Sequence, residues 1–121
     1  MNKHKYIAKA LNWAKSRRFT NIKANLEEED IEKPKSFSRK DKDSSLVPDL
    51  TGNKLSKKIY VEVALKVENI QKVVSKWKLL STLASRKGGR LYLLAPRGHK
   101  AFAERILNKY DLPNAQVIAL H

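Results

Sequence analysis

The stretch VPDLTGNKLSKKIYVEVALK, residues 47–66, decides how the rest of the chain is organised. It predicts a short strand over residues 46–50 and a longer one over residues 58–66, because the second run is rich in Val, Ile and Tyr. Between them, Thr-Gly-Asn at residues 51–53 is typical of a turn. The stretch therefore predicts two strands that lie side by side.

Two acidic residues stand out in these strands. Asp49 follows Pro48, and Glu62 interrupts an otherwise apolar run. A buried carboxylate is costly unless it has a partner or a function. We therefore expect Asp49 and Glu62 to converge near the centre of the sheet. The alternative for Glu62 is a simple ion pair across the sheet with a lysine such as Lys58.

The flanking segments alternate between helical and extended patterns. Apolar residues recur at helical spacing in three segments and form short apolar runs in three others. The helices are predicted over residues 4–18, 68–86 and 99–110, and the further strands over residues 19–26, 90–95 and 115–120. The order is α-β-β-β-α-β-α-β. It predicts one α/β domain over residues 1–121, with an antiparallel meander, a parallel crossover, and helices on both faces of a mixed sheet.

Residues 27–45 have a different character from the rest of the chain. The sequence EEEDIEKPKSFSRKDKDSS is strongly charged and holds only Ile31 and Phe37 as large apolar residues. We interpret it as a long flexible loop between strands. It is also the segment that would make the contact if the protein were a regulatory subunit of another protein.

The charge of the chain restricts its partners. The 121 residues carry a formal net charge of +14 and have a sequence pI near 10.1. Such a balance favours a polyanionic partner, of which nucleic acid is the commonest, although a basic surface can also serve solubility alone. The absence of cysteine excludes disulfides and thiolate zinc sites. No apolar run reaches the roughly 20 residues that span a bilayer, and the N-terminus lacks a signal-peptide core. We therefore expect a cytoplasmic protein without a membrane partner.

VPDLTG, YVEVALK and the following helix, in this order, resemble the restriction-endonuclease-like fold, also called the PD-(D/E)XK nuclease superfamily. The resemblance covers most of the chain. It implies that Asp49 and Glu62 hold a divalent metal, Mg or Mn. In that family a lysine two residues after the second acid assists the attacking water, but here that position is Ala64.

Three other residues are candidates for the role of the missing lysine. Lys66 lies on the Glu62 face of the predicted strand but about 13 Å further along it. Lys72 lies early on the next helix, where some family members carry their lysine, and the pattern Lys72, Lys76, Trp77 resembles that variation. Gln71 is a candidate because a helix glutamine assists the site in some relatives. The alternative for all of them is a solvated helix face.

Basic residues outside this site are candidates for phosphate contacts, because Lys and Arg neutralise phosphates and release counterions. The candidates are Arg17, Arg18, Lys54, Lys57, Arg86, Lys87, Arg90, Arg97 and Lys100. Glycine at Gly88-Gly89 and Gly98 allows backbone amides to approach a phosphate, and His99 would begin a helix beside one.

Three functions remain open from the sequence. The first is a magnesium-dependent nuclease using Asp49 and Glu62, with DNA favoured over RNA as the substrate. The second is a catalytically inactive nucleic-acid-binding module on the same fold, which Ala64 favours. The third is the regulatory subunit mentioned above. A homodimer and a partner subunit both stay open.

Overall fold

Three helices and seven strands make up the fold in a computed structural model that describes residues 3–39 and 42–121. The helices are α1 (Lys3–Ser16), α2 (Gln71–Arg86) and α3 (Lys100–Lys109). The strands are β1 (Thr20–Ala24), β2 (Phe37–Arg39), β3 (Lys42–Leu46), β4 (Leu50–Lys54), β5 (Lys57–Val63), β6 (Arg90–Pro96) and β7 (Ala115–Leu120).

Five of the strands form one mixed sheet in the order β1-β4-β5-β6-β7. The β1–β4 and β4–β5 pairs are antiparallel, whereas β5–β6 and β6–β7 are parallel. These pairings confirm the predicted meander and parallel crossover. The observed order is α-β-β-β-β-β-α-β-α-β, which has two strands more than the predicted order. The described residues thus form a single α/β domain.

Each face of the sheet carries its own apolar core, because successive strand residues point to opposite sides. On one face α1 packs against β1, β4 and β5, and its residues Ile7 and Leu11 join Val61 and Leu94 in one cluster. On the other face α2 and α3 pack over the parallel strands, around Trp77. The prediction of helices on both faces is confirmed.

The predicted strand over residues 46–50 and turn over residues 51–53 are wrong. Strand β4 begins at Leu50, and the buried residues Thr51 and Gly52 pair with β5 inside the sheet. The turn consists of Leu55 and Ser56, since Lys54 and Lys57 are register partners. Gly52 lies in the sheet because it passes close to β1, where an added Cβ would come within 3.4 Å of Phe19 Cβ.

The interpretation of residues 27–45 as a continuous loop is also wrong. Strands β2 and β3 pair antiparallel as a second, two-stranded sheet. Phe37 provides the physical reason, because its ring lies 6.3 Å from the ring of Tyr60 and packs against the α2–α3 core. The part of the predicted loop at residues 40–41 lies outside the described residues.

The helices α1 and α2 run in the same sense relative to the sheet. Phe19, just after α1, lies beside Lys54 at the β4–β5 turn, with 5.7 Å from Lys54 Nζ to the ring centroid. Gly89, just after α2, lies so close to β5 that an added Cβ would be 1.6 Å from the carbonyl oxygen of Lys58. Both helices therefore end near the β4–β5 turn. We call this the hairpin end of the sheet and the opposite end, where Asp49 lies, the acid end.

In the part of the chain that the structure describes, no helix combines the length and apolar character needed to cross a membrane.

Candidate functional site

Asp49 and Glu62 lie side by side and hold each other in place. The backbone N–H of Asp49 donates to Glu62 Oε2 at 2.7 Å, and the N–H of Val63 donates to Asp49 Oδ2 at 2.8 Å. This exchange follows from the β4–β5 register, in which Leu50 faces Val61. Only 2% of Asp49 and 1% of Glu62 are exposed. The expected convergence of the two acids is therefore present.

Two lysines from different helices neutralise the acids. Lys3 Nζ, from the first turn of α1, lies 3.0 Å from Asp49 Oδ2. Lys76 Nζ, from α2, lies 3.0 Å from Glu62 Oε1 and 3.8 Å from Asp49 Oδ1. Helices on opposite faces of the sheet thus each send one ammonium group to the same pair of carboxylates. We call Lys3, Asp49, Glu62 and Lys76 the four-charge cluster.

Burial is the largest influence on the ionisation of Glu62. It raises the pKa of Glu62 to about 7, and the neighbouring Asp49 carboxylate acts in the same direction, while Lys76 and Lys3 act in the opposite one. For Lys3, burial lowers the pKa, but attraction to Asp49 and Glu62 outweighs it, so that the pKa of Lys3 is raised. A carboxyl group with a pKa near neutrality is a frequent feature of functional sites.

The lysines and glutamine chosen from the sequence do not reach the acids. Lys72 and Gln71 are exposed on the first turn of α2, and Gln71 N–H donates to Asn69 Oδ1. Lys66 is exposed beyond the end of β5, and its N–H donates to His99 Nδ1 at 2.8 Å. Within the described ranges, neither Lys66 nor Lys72 forms an ion pair with Asp49 or Glu62. The prediction that one of them stands beside the acids is wrong in its geometry, because Lys76 occupies that place.

Two other sequence interpretations concern the same strand. Ala64, which stands at the position of the motif lysine, is fully buried against the α2–α3 core. This position therefore provides no polar group for the acids. Lys58 lies near the hairpin end and does not pair with Glu62. Instead, burial together with repulsion from Lys23 and Lys87 lowers the pKa of Lys58.

The sequence did contain a signal for both lysines of the cluster. Lys3 precedes Ile7 by four residues and therefore falls on the buried stripe of α1. Lys76 falls between Val73 and Leu80, on a row of α2 that is otherwise apolar. A lysine within an apolar stripe needs a buried partner or a route to solvent for its ammonium group.

The cluster has two oxygen atoms that could hold a divalent cation together. Asp49 Oδ1 and Glu62 Oε1 both face Lys76 Nζ, so these two oxygens already converge on one positive charge. Within residues 3–39 and 42–121 no third His, Cys, Asp or Glu joins them. Mg²⁺ fits such a set, since it is usually bound by one or two carboxylates, with water and substrate phosphate in the remaining positions.

The basic residues chosen as phosphate contacts divide between the two ends of the sheet. Seven lie at the hairpin end, where α1 and α2 end, β4 turns into β5 and β6 begins. They are Arg17, Arg18, Lys54, Lys57, Arg86, Lys87 and Arg90. Lys57 is five residues before Glu62 on β5, which places it about 17 Å from the acids. Only Arg97 and Lys100 follow β6 at the acid end.

A cavity of about 620 Å³ lies at the acid end between α1 and the ends of β6 and β7. It exists because α1 covers β1, β4 and β5 and leaves the other side of this face open. Its lining holds four cationic side chains and no acidic one. The polar and aromatic lining residues are Lys5, Tyr6, Lys9, Arg97, Lys100 and His121. Lys5 Nζ and Lys9 Nζ lie 5.2 Å and 5.9 Å from the Tyr6 ring centroid.

Comparisons with protein-family models, with curated proteins and with solved structures find no match to this chain.

Proposed function

We propose that this protein is a metal-dependent nuclease whose centre is the four-charge cluster. The observation that carries the proposal is the convergence of Asp49 Oδ1 and Glu62 Oε1 on one cationic position at the end of a basic domain. The resemblance of VPDLTG and YVEVALK to the PD-(D/E)XK superfamily supports the same assignment. In this proposal Lys76 replaces the motif lysine, whose position in the strand is occupied by Ala64.

Each residue of the cluster has a chemical role in this proposal. Asp49 and Glu62 would hold Mg²⁺ or Mn²⁺, which supplies charge stabilisation and a more nucleophilic water when bound. Lys76 would turn from the carboxylates to the phosphate, where an ammonium group stabilises the charge that develops on the phosphoryl oxygens. Lys3 keeps the Asp49 carboxylate oriented from the other face of the sheet. The cavity beside α1 would receive the neighbouring phosphates of the substrate strand.

The test is cleavage of labelled DNA and RNA, single-stranded and duplex, with Mg²⁺ or Mn²⁺ and with EDTA. Cleavage that needs the metal and is lost in Asp49→Asn and Glu62→Gln supports the proposal. A matched control is Glu104→Gln, which changes an exposed carboxylate that forms an ion pair with Lys100 on the surface of α3. Absence of metal-dependent cleavage, or cleavage that survives both substitutions, contradicts the proposal.

A second candidate is an inactive nucleic-acid-binding module on the same fold. The position of Lys76 favours it, because an ammonium group already occupies the place between the carboxylates that a metal ion would take. In this case Lys76 is a permanent counterion. Titration with Mg²⁺ or Mn²⁺ while recording the NMR signals of Asp49 and Glu62 separates the two candidates, since the inactive module predicts no shift at either residue.

A further inference from the structure

The turn between β4 and β5 presents the most exposed large apolar side chain of the described residues. Leu55 is 88% exposed, whereas the next large apolar side chain, Val67, is 40% exposed. Scattered apolar residues on a surface are ordinary. Leu55 differs because it stands alone at the tip of a hairpin whose flanking residues are Lys54 and Lys57.

The backbone of this turn is held in an unfavourable conformation. Leu55 and Ser56 have φ angles of 52° and 67°. Positive φ at both central residues of a two-residue hairpin is the signature of a type I′ turn, which Asn-Gly sequences adopt most easily. Leu and Ser are poor choices for these positions, since left-handed backbone is costly for residues with a Cβ. The turn therefore carries strain, which functional sites commonly retain.

The surroundings of the turn are strongly cationic. Arg17, Arg18, Lys54, Lys57 and Lys87 all lie at the hairpin end. In the described ranges, none of them forms an ion pair with a carboxylate. Burial lowers the pKa of Lys58, and repulsion from Lys23 and Lys87 acts in the same direction. Uncompensated cations around an exposed apolar tip are suited to a polyanion that also offers an apolar surface.

Duplex nucleic acid has both properties. Its phosphates form two rows at the edges of each groove, and its base edges and stacked faces lie between them. The major groove is about 12 Å wide and admits a two-stranded β-ribbon. Apolar side chains such as Leu are also inserted between base steps by proteins that bend DNA.

We propose that the hairpin end is a duplex-binding site in which Leu55 contacts the bases while Lys54 and Lys57 contact the phosphates on either side. Leu55 acts as an apolar wedge. The site lies about 20 Å from the acids, so it would fix where a duplex lies relative to the four-charge cluster. The inference rests on the nucleic-acid part of the proposed function but not on cleavage.

Binding in EDTA tests this inference separately from catalysis. Affinities for matched duplex and single-stranded oligonucleotides are measured by fluorescence anisotropy at several salt concentrations, for wild type and Leu55→Ala. Truncation of one Leu side chain that is buried on binding corresponds to a decrease of roughly tenfold in duplex affinity. The salt dependence of Leu55→Ala should equal that of wild type, because no charge has changed. Val67→Ala is the matched control and should bind like wild type.

Lysine variants separate the two kinds of interaction. Lys54→Gln with Lys57→Gln should lower the slope of log affinity against log salt by about 1.8, or about 0.9 for each phosphate that is no longer neutralised. A duplex with 2-aminopurine at successive positions should become brighter where Leu55 opens a base step, and Leu55→Ala should abolish the increase.

A third variant keeps the hairpin while removing the wedge. Leu55→Asn with Ser56→Gly gives the sequence that type I′ turns prefer, so this variant should melt at a higher temperature than wild type and yet bind duplex as weakly as Leu55→Ala. Unchanged duplex affinity in both Leu55 variants would overturn the inference. Metal-dependent cleavage that persists in that case would leave the proposed nuclease function intact.

Discussion

Lys76 and Glu62 form an ion pair of 3.0 Å between a helix and the strand on which that helix packs. In a PD-(D/E)XK motif the lysine stands two residues after the second acid, on the strand itself. Ala64 holds that strand position and is fully buried. An ammonium group therefore reaches the second acid from α2 and not from β5.

Replacement of Lys76 tests this relationship directly. Lys76→Met removes the charge and keeps most of the length of the side chain. Because Lys76 lowers the pKa of Glu62, we expect that pKa to rise above its value of about 7. If the protein is a nuclease, cleavage should fall by about 100-fold or more, as when other stabilisers of developing charge are removed. NMR titration of Glu62 and single-turnover cleavage are the measurements.

The control for this variant lies one turn earlier on the same helix. Lys72→Met removes an exposed charge that makes no ion pair with the acids, so it should change neither the titration of Glu62 nor the cleavage rate. Equal effects of the two substitutions would contradict the assignment of Lys76.

Glu62 should make the stability of the metal-free protein depend on pH. Its pKa is about 7 in the folded protein and about 4.5 in the unfolded chain, so the folded state binds the proton more tightly. The stability that this proton confers is complete below pH 4.5 and is lost as the pH rises through 7. The loss amounts to roughly 3 kcal/mol in the free energy of unfolding.

Chemical denaturation between pH 4 and 8 measures this effect as the difference between wild type and Glu62→Gln. As the pH rises from 4 to 8, the unfolding free energy of wild type should fall by that amount relative to the unfolding free energy of Glu62→Gln. The exposed carboxylate variant Glu104→Gln should follow wild type at every pH. A difference that is independent of pH would show that Glu62 is already ionised at pH 5.

Gly89 determines how closely the end of α2 approaches β5. In Gly89→Ala the new Cβ would lie 1.6 Å from the carbonyl oxygen of Lys58, and neither backbone can move without disturbing the sheet. We expect a loss of about 3 kcal/mol or more in unfolding free energy. Gly88→Ala is the comparison, since its Cβ would meet nothing within 4 Å and only the positive φ of 67° opposes it. Its cost should be about 1–2 kcal/mol.

The cavity beside α1 should contribute to binding of nucleic acid near the acids. Lys5→Gln with Lys9→Gln removes two of its cations, and the slope of log affinity against log salt should fall by about 1.8 for duplex substrates. Lys35→Gln with Lys78→Gln changes the net charge equally at exposed lysines outside the cavity lining. If both double variants bind alike, the cavity does not bind the nucleic acid specifically.

The sequence predicted the main sheet well because its strands are apolar and its helices have clear stripes. The two acids were also found from the sequence, since a carboxylate inside an apolar strand is conspicuous. The β4–β5 turn was misplaced because Thr51-Gly52-Asn53 has turn-forming composition, whereas Leu55 and Ser56 do not. The true turn is set by strand pairing, which overrides local preference.

The lysines of the cluster were harder to predict than the acids. Lys76 differs from Lys72 and Lys78 by its place on the apolar row of α2, but only the packing of α2 against the sheet brings it to Glu62. Lys3 comes from a helix on the other face, 46 residues before Asp49. Tertiary packing therefore decides which of the many lysines in this strongly basic chain reaches a buried acid.

The hydrogen bonds between the Asp49 and Glu62 segments mean that the two acids are a single thermodynamic unit. The Glu62 side chain holds the backbone from which Asp49 projects, and the Asp49 side chain holds the backbone just after Glu62. Replacing one acid therefore also disturbs the other. The double variant should lose little more unfolding free energy than the less stable of the two single variants. In a double-mutant cycle this appears as a coupling energy as large as one of the individual effects.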